Sequence, residues 1–250
     1  MTTVLLTGAS AGFGRAIAKR LVADGCRVIG AARRMDKLDA LAKELGAAFY
    51  PLEMDICSQE SVDKALASLS KEWKNIDVLI NNAGLALGLD KAYEADIKDW
   101  LTMIDTNIVG LVYVTRKILP RMVDHHKGLI INIGSTAGSV AYPGANVYGA
   151  SKAFVKQFSL NLRADLAGTR IRVSNIEPGL CEGTEFSSVR FKGDQKKVEA
   201  LYKGANAITP VDIAETVAWI LKQPEHVNIN RIEMMPTSQT FGAQPVHRDL

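Results

Sequence analysis

Long apolar runs, paired cysteines and an excess of either charge are all missing from this chain of 250 residues. No stretch of about 18 consecutive apolar residues occurs, so no helix is expected to cross a membrane. The three cysteines, Cys26, Cys57 and Cys181, lie far apart with no C-x-x-C pair. They fit neither a disulfide framework nor a thiolate metal site and read as free buried thiols, with no metal expected. Thirty Lys and Arg against 27 Asp and Glu leave a net charge of +3. That balance does not suit a polyanion-binding surface, and no nucleic-acid partner is expected. His125 and His126 form the one adjacent histidine pair, and neighbours on a helix diverge, so they read as a solvated helix end. Met1-Thr2-Thr3 leads straight into apolar sequence without a charged n-region or cleavage site, which suggests a soluble, cytoplasmic protein.

What is present is a core-building composition, 47% hydrophobic and 23% charged. This excludes intrinsic disorder. Short apolar runs alternate with helical periodicity along the whole chain. The runs are Thr3 to Thr7, Val28 to Ala32, Ala48 to Leu52, Val78 to Asn81, Leu129 to Ile133, Ile171 to Ile176 and Ile232 to Met234. Most lack alternation of period two, as expected of strands buried on both faces of a parallel sheet. Helical spacing marks Gly14 to Asp24, Asp36 to Leu45, Ser58 to Glu72, Trp100 to His125, Tyr148 to Leu166 and Pro210 to Leu221. The alternation predicts one α/β domain over residues 1–250, a doubly wound parallel sheet with helices on both faces. Two segments break the rhythm: Tyr142-Pro-Gly-Ala-Asn146, and the charge-rich Gly179 to Asn206, read as a substrate lid or as an ordinary surface excursion.

After the first strand stands Thr7-Gly8-Ala9-Ser10-Ala11-Gly12-Phe13-Gly14. Glycines there let the backbone approach a diphosphate, while the following helix directs free N–H groups and a positive dipole end at the anion. At the end of the second strand, where an acidic residue would read the ribose 2′-hydroxyl of NAD, the chain has Arg33-Arg34. Two guanidiniums suit a 2′-phosphate, so NADP(H) is the expected cofactor; the alternative is a solvated basic pair. Asp36 is assigned to capping the next helix. Asp55 is placed to bond an adenine amino group, and Asn82-Ala83-Gly84 to form a small-residue floor beside the ribose.

Tyr148 and Lys152 stand four residues apart on one helix face. A phenol near pKa 10 needs help to act at neutral pH, and a neighbouring Lys⁺, together with the positive charge of an oxidised nicotinamide, is expected to favour phenolate and lower its pKa. Tyr113 and Lys117 share that spacing. The first pair alone has a serine, Ser135, thirteen residues upstream at a strand end, where its hydroxyl can steady a carbonyl oxygen; Tyr113 and Lys117 read as helix packing with a solvated Lys. Asn107 is polar in an apolar helix and is either a water-holding relay towards Lys152 or a buried, internally satisfied amide. In the lid, Arg190 is placed to pair with a carboxylate or sulfonate, or is a solvated loop residue. Arg248 is a weaker second candidate.

Together Thr7-Gly8-x-x-x-Gly12-x-Gly14, Asn81-Asn82-Ala83-Gly84, Asn107, Ser135, Tyr148-x-x-x-Lys152 and Pro178-Gly179 resemble the short-chain dehydrogenase/reductase family. The resemblance implies a single-domain Rossmann fold with a seven-stranded sheet. It also implies a Ser135–Tyr148–Lys152 active site with Asn107 completing a relay, and a segment from Pro178 to Phe186, Gly179 and Thr184 included, covering the nicotinamide. A narrower set, among them Gly183-Thr-Glu-Phe186, Val189-Arg-Phe-Lys-Gly193 and Glu233-Met-Met-Pro236, is similar to the NADP-dependent 3-hydroxy acid dehydrogenases, which include serine and L-allo-threonine dehydrogenases and malonic semialdehyde reductases. Sulfoacetaldehyde reductases, which form isethionate, are the related alternative. The analogy also implies a homotetramer. Ser139-Val-Ala-Tyr-Pro143 carries no tryptophan, and Cys181-Glu182 stands where a small apolar residue and a glycine are expected. Both departures adjoin the substrate. The expectation is an oxidoreductase acting on a short anionic alcohol and its aldehyde or ketone; a non-catalytic NADPH-sensing module is the alternative of another class.

Overall fold

A computed structural model describes residues 1–241. Seven strands, β1 (Thr3–Thr7), β2 (Arg27–Ala32), β3 (Phe49–Glu53), β4 (Val78–Asn81), β5 (Gly128–Ile133), β6 (Ile171–Pro178) and β7 (Arg231–Met234), form one sheet in the order β3-β2-β1-β4-β5-β6-β7. Every pairing is parallel. The apolar runs mark these strands to within two residues at either end because the central strands are covered on both faces. Val4, Leu5 and Leu6 on successive positions of β1 are all fully buried, Val4 and Leu6 against one helical layer and Leu5 against the other.

The layers are built from α1 (Gly12–Ala23), α2 (Met35–Leu45), α3 (Gln59–Ser68), α4 (Ile97–Ile104), α5 (Leu111–Asp124), α6 (Asn146–Asp165), α7 (Phe186–Arg190), α8 (Gln195–Tyr202) and α9 (Pro210–Leu221). Chain order reverses between β1 and β4, so the loops after their carboxyl ends part and open a crevice. Thr7 and Asn82 stitch its floor. The Thr7 hydroxyl accepts from the N–H groups of Asn82 and Ala83, each at 3.0 Å, and the Asn82 amide donates to the Thr7 and Gly8 carbonyls at 2.8 and 3.2 Å.

Several boundaries differ from the sequence expectation for local reasons. α3 stops at Ser68, because Leu69 turns to an extended conformation that buries it near Trp73. The long helix expected from Trp100 to His125 starts at Ile97, where the Asp96 carboxylate accepts the Lys98 N–H, and is interrupted by a π-helical stretch over Asp105–Gly110. Such a stretch inserts extra backbone and frequently accompanies functional sites. Asp36 does not cap α2. Arg34 holds the cap position, and Asp36 lies in the first turn, where its charge complements the helix dipole. Of the three thiols expected to be buried, only Cys26 is; Cys181 is half-buried and Cys57 exposed. His125 and His126 end α5 in solvent. Among the described residues, no acidic, cysteine and histidine cluster fits a metal, and no helix is long and apolar enough to cross a membrane.

Candidate active site

A cavity of roughly 730 Å³ opens along the carboxyl ends of the strands. Residues expected at a dinucleotide line it: Gly8, Ser10, Gly12, Phe13, Arg33, Arg34, Asp55, Asn82, Gly84, Pro178, Gly179 and Thr184. Ser135, Tyr148 and Arg190 line it too, so the two ends of the expected site share one cleft.

The glycine-rich turn fits a diphosphate. Gly8 and Gly12 have φ of +69° and +51°, and a Cβ on Gly12 would sit 3.2 Å from the Thr184 side chain. The turn therefore tolerates no side chain just where α1 begins. Ala11, the residue capping α1, offers no side-chain acceptor, so the first N–H groups of the helix remain available to an anion. Gly14 differs from the expectation: it does not line the cavity. A Cβ there would lie 2.2 Å from the Gly8 carbonyl oxygen, so its task is to let helix and loop touch.

At the adenosine end Arg34 donates through Nε and a terminal nitrogen to the Ser10 hydroxyl, at 3.3 and 3.1 Å. Its other terminal nitrogen pairs with Glu185 at 2.8 Å, and Lys37 pairs with the second Glu185 oxygen at 2.5 Å. Neither Lys37 nor Glu185 emerged from the sequence. Lys37 stands three residues after Arg34, within a helix turn, a spacing that could have revealed it. Glu185 is brought there only by the folding of the lid. Arg33 makes no side-chain hydrogen bond or ion pair among the described residues and faces the cavity. Asp55 accepts the Cys57 N–H at 3.0 Å.

At the other end, α6 presents Tyr148, and Ser135 stands two residues beyond the end of β5. Burial pushes the Tyr148 phenol up to about 12, and the nearby Ser135 hydroxyl and Arg190 guanidinium offset only part of that rise. Lys152 is also buried; its ammonium donates to the Ile133 carbonyl at 2.8 Å and lies 5.9 Å from the Tyr148 ring centroid. Burial drops its pKa to about 8. In the protein alone desolvation dominates both groups; the lowered phenol pKa expected from the sequence concerns Lys152 acting together with an oxidised nicotinamide. Lys152 stands behind the cavity wall, with its Nζ 3.4 Å from where a Gly84 Cβ would be.

Asn107 lies in the π-helical stretch, fully buried. Its oxygen accepts the Leu85 N–H at 2.9 Å, and its amide donates to the Leu85 carbonyl at 2.9 Å and to Ser151 at 3.0 Å. Both donors are engaged, so a relay through this side chain has one remaining lone pair to use. The other Tyr–Lys pair lies apart: Tyr113 and Lys117 both bind Asp63, at 3.0 and 2.7 Å, so Lys117 is ion-paired and not merely solvated.

The lid carries Arg190 over the phenol. Its guanidinium carbon lies 5.3 Å from the Tyr148 ring centroid and 5.5 Å from that of Tyr142. It donates to the Tyr142 hydroxyl at 3.0 Å and the Gly88 carbonyl at 3.3 Å. Tyr142 belongs to a segment that interrupts the sequence rhythm, but its pairing with Arg190 is tertiary and was not legible. Arg248 lies outside the described residues.

A family model described as short chain dehydrogenase matches residues 2–195. NADP-dependent 3-hydroxy acid dehydrogenase YdfG of Escherichia coli K12 is 56% identical over 98% of this chain and 99% of its own. Serine 3-dehydrogenase of Rhizobium radiobacter is 51% identical over 99% and 98%. Among solved structures, a closed form of serine dehydrogenase complexed with NADP+ aligns with a TM-score of 0.98 at 55% identity, covering 99% of this chain and all of that one. None of these relatives is named a sulfoacetaldehyde reductase, and that alternative has no support here.

Proposed function

The chain belongs to the short-chain dehydrogenase family, and from that premise we propose that it interconverts a short 3-hydroxy acid and its semialdehyde or keto acid with NADP(H). The observation that carries the substrate class is Arg190, a fixed positive charge suspended 5.3 Å from the ring of the buried Tyr148. A guanidinium there pairs with a carboxylate while the substrate's hydroxyl or carbonyl reaches the phenol.

When bound, the oxidised cofactor supplies the hydride acceptor and a positive ring that favours phenolate. Tyr148 takes the proton from the substrate hydroxyl as hydride departs, and returns it in the reverse direction. Ser135 donates to the same substrate oxygen and fixes its approach. Lys152, anchored on Ile133 behind Gly84, would hold the ribose hydroxyls of the bound cofactor. Gly8, Gly12 and the start of α1 would hold the diphosphate, and Arg33 and Arg34 the 2′-phosphate, with Lys37 close by through Glu185. Asp55 and Asn82 would flank the adenosine, while Pro178, Gly179 and Thr184 would cover the nicotinamide.

Two further elements of the reading rest on surface features. Ile97, Leu101, Val109, Phe154 and Leu160 are exposed apolar side chains of α4, the π-helical stretch and α6. They support assembly into a homotetramer through these helices. A cytoplasmic setting accords with a reducing pool for free thiols. The alignment of Ser135 with Tyr148 in the coenzyme cleft weighs against a mere NADPH sensor.

The substrate reading is tested with Arg190→Ala. We expect KM for malonic semialdehyde to rise about tenfold or more, the loss of one charge-assisted pair, while kcat/KM for neutral propanal stays within about twofold. Equal losses on both aldehydes would remove the anchoring role.

A further inference from the structure

Helix α7 is only five residues long, yet it is fastened at both ends to opposite sides of the cleft. Its first fastening is Glu185, the residue before the helix, bridging Arg34 at 2.8 Å and Lys37 at 2.5 Å on the β2–α2 side. Its last residue is Arg190, whose backbone carbonyl accepts the Gly88 N–H at 2.9 Å and whose guanidinium hangs beside Tyr142 and Tyr148. Between them the buried Ser187 hydroxyl meets the Tyr202 hydroxyl at 2.5 Å, and Phe186 packs on Tyr148 with ring centroids 5.7 Å apart. The helix thus resembles a short beam pinned at its middle, with a charged tether at one end and the substrate-facing cation at the other.

We infer that Glu185 is a positioning residue for Arg190: its bridge to Arg34 and Lys37 fixes the orientation of α7 and so keeps the guanidinium over the phenol. This rests on the reading of Arg190 as the substrate's anion partner. Three features support the bridge as more than a chance surface pair. One carboxylate meets two cations, one on each oxygen. Arg34 is itself immobilised on Ser10, so less side-chain freedom is lost on pairing. The cations also hold the Glu185 carboxyl below the usual carboxylate range, so the bridge persists throughout neutral pH. The arrangement links the two ends of the cleft, because Arg34, which lines its adenosine end and would meet a 2′-phosphate there, also tethers the helix that carries Arg190.

The test compares wild type, Glu185→Gln, Glu185→Asp, Arg190→Ala and the double variant Glu185→Gln/Arg190→Ala at saturating NADPH, with malonic semialdehyde and with propanal. Glu185→Gln is expected to raise KM for the anionic aldehyde about fivefold, the effect of a well-placed surface bridge, with kcat within about twofold and propanal unaffected. Glu185→Asp recovers part of the loss. The double variant loses no more than Arg190→Ala, since both changes remove one interaction. Losses that add in the double variant, or an unchanged ratio between the two aldehydes in Glu185→Gln, overturn the inference while leaving the proposed function standing. A wild-type enzyme that does not prefer the anionic aldehyde, or an Arg190→Ala variant that loses equally on both aldehydes, overturns the substrate reading and the inference with it.

Discussion

Tyr148→Phe is expected to lower kcat by about a thousandfold in either direction while leaving the dissociation constant for NADPH within about twofold of wild type. The substitution removes one oxygen and little else. The ring keeps its contact with Phe186 and its place in the small cluster with Ala86 and Met103, so the fold has no reason to shift. Ser135 remains, but its hydroxyl is already shared between the Ala137 N–H and the Pro178 carbonyl, at 3.1 and 3.4 Å, and it has no base beside it. Lys152 remains too, held behind the wall by Ile133. Neither can carry the proton that the phenol carried. Stopped-flow turnover together with fluorescence titration of NADPH separates the two quantities. A variant retaining most of its turnover would show that the proton moves through some other group.

The second large effect concerns the cofactor. Arg33→Ala combined with Arg34→Ala should raise KM for NADPH by about 10² or more, since hydrogen bonds to a charged group contribute roughly 1.5–3 kcal/mol and 1.4 kcal/mol is a factor of ten. KM for NADH should stay within about twofold, because that cofactor presents a neutral hydroxyl at the same place. Arg33→Ala alone is the cleaner variant, as Arg34 also braces Ser10 and tethers Glu185. An unchanged preference for NADPH over NADH in the double variant would assign discrimination to other residues, with Lys37 the first to examine.

The sheet was legible because burial on both faces leaves nearly continuous apolar runs, and the glycine turn because its position between a strand and a helix gives it meaning. Tyr148 was separable from Tyr113 by its company alone: Ser135 stands at a strand end, while Trp100 occupies the equivalent spacing before Tyr113. The π-helical stretch at Asn107 was not legible, since its residues continue a helical pattern and only the hydrogen bonding betrays the extra backbone. The desolvation of the pair was not legible for a related reason. Spacing says that Lys152 and Tyr148 share a helix face, but not that both are withdrawn from water, and desolvation then outweighs their proximity. Glu185, Lys37 and Tyr142 were missed because each gains its role from a partner remote in sequence or from the lid.

The most direct measurement of the central claim is the initial rate of nicotinamide absorbance loss when wild-type enzyme meets malonic semialdehyde with NADPH, and separately with NADH. A saturable rate with NADPH, higher in kcat/KM than the NADH reaction by at least about tenfold, is what this cleft predicts. No oxidation with either coenzyme, or equal efficiency with both, would contradict it.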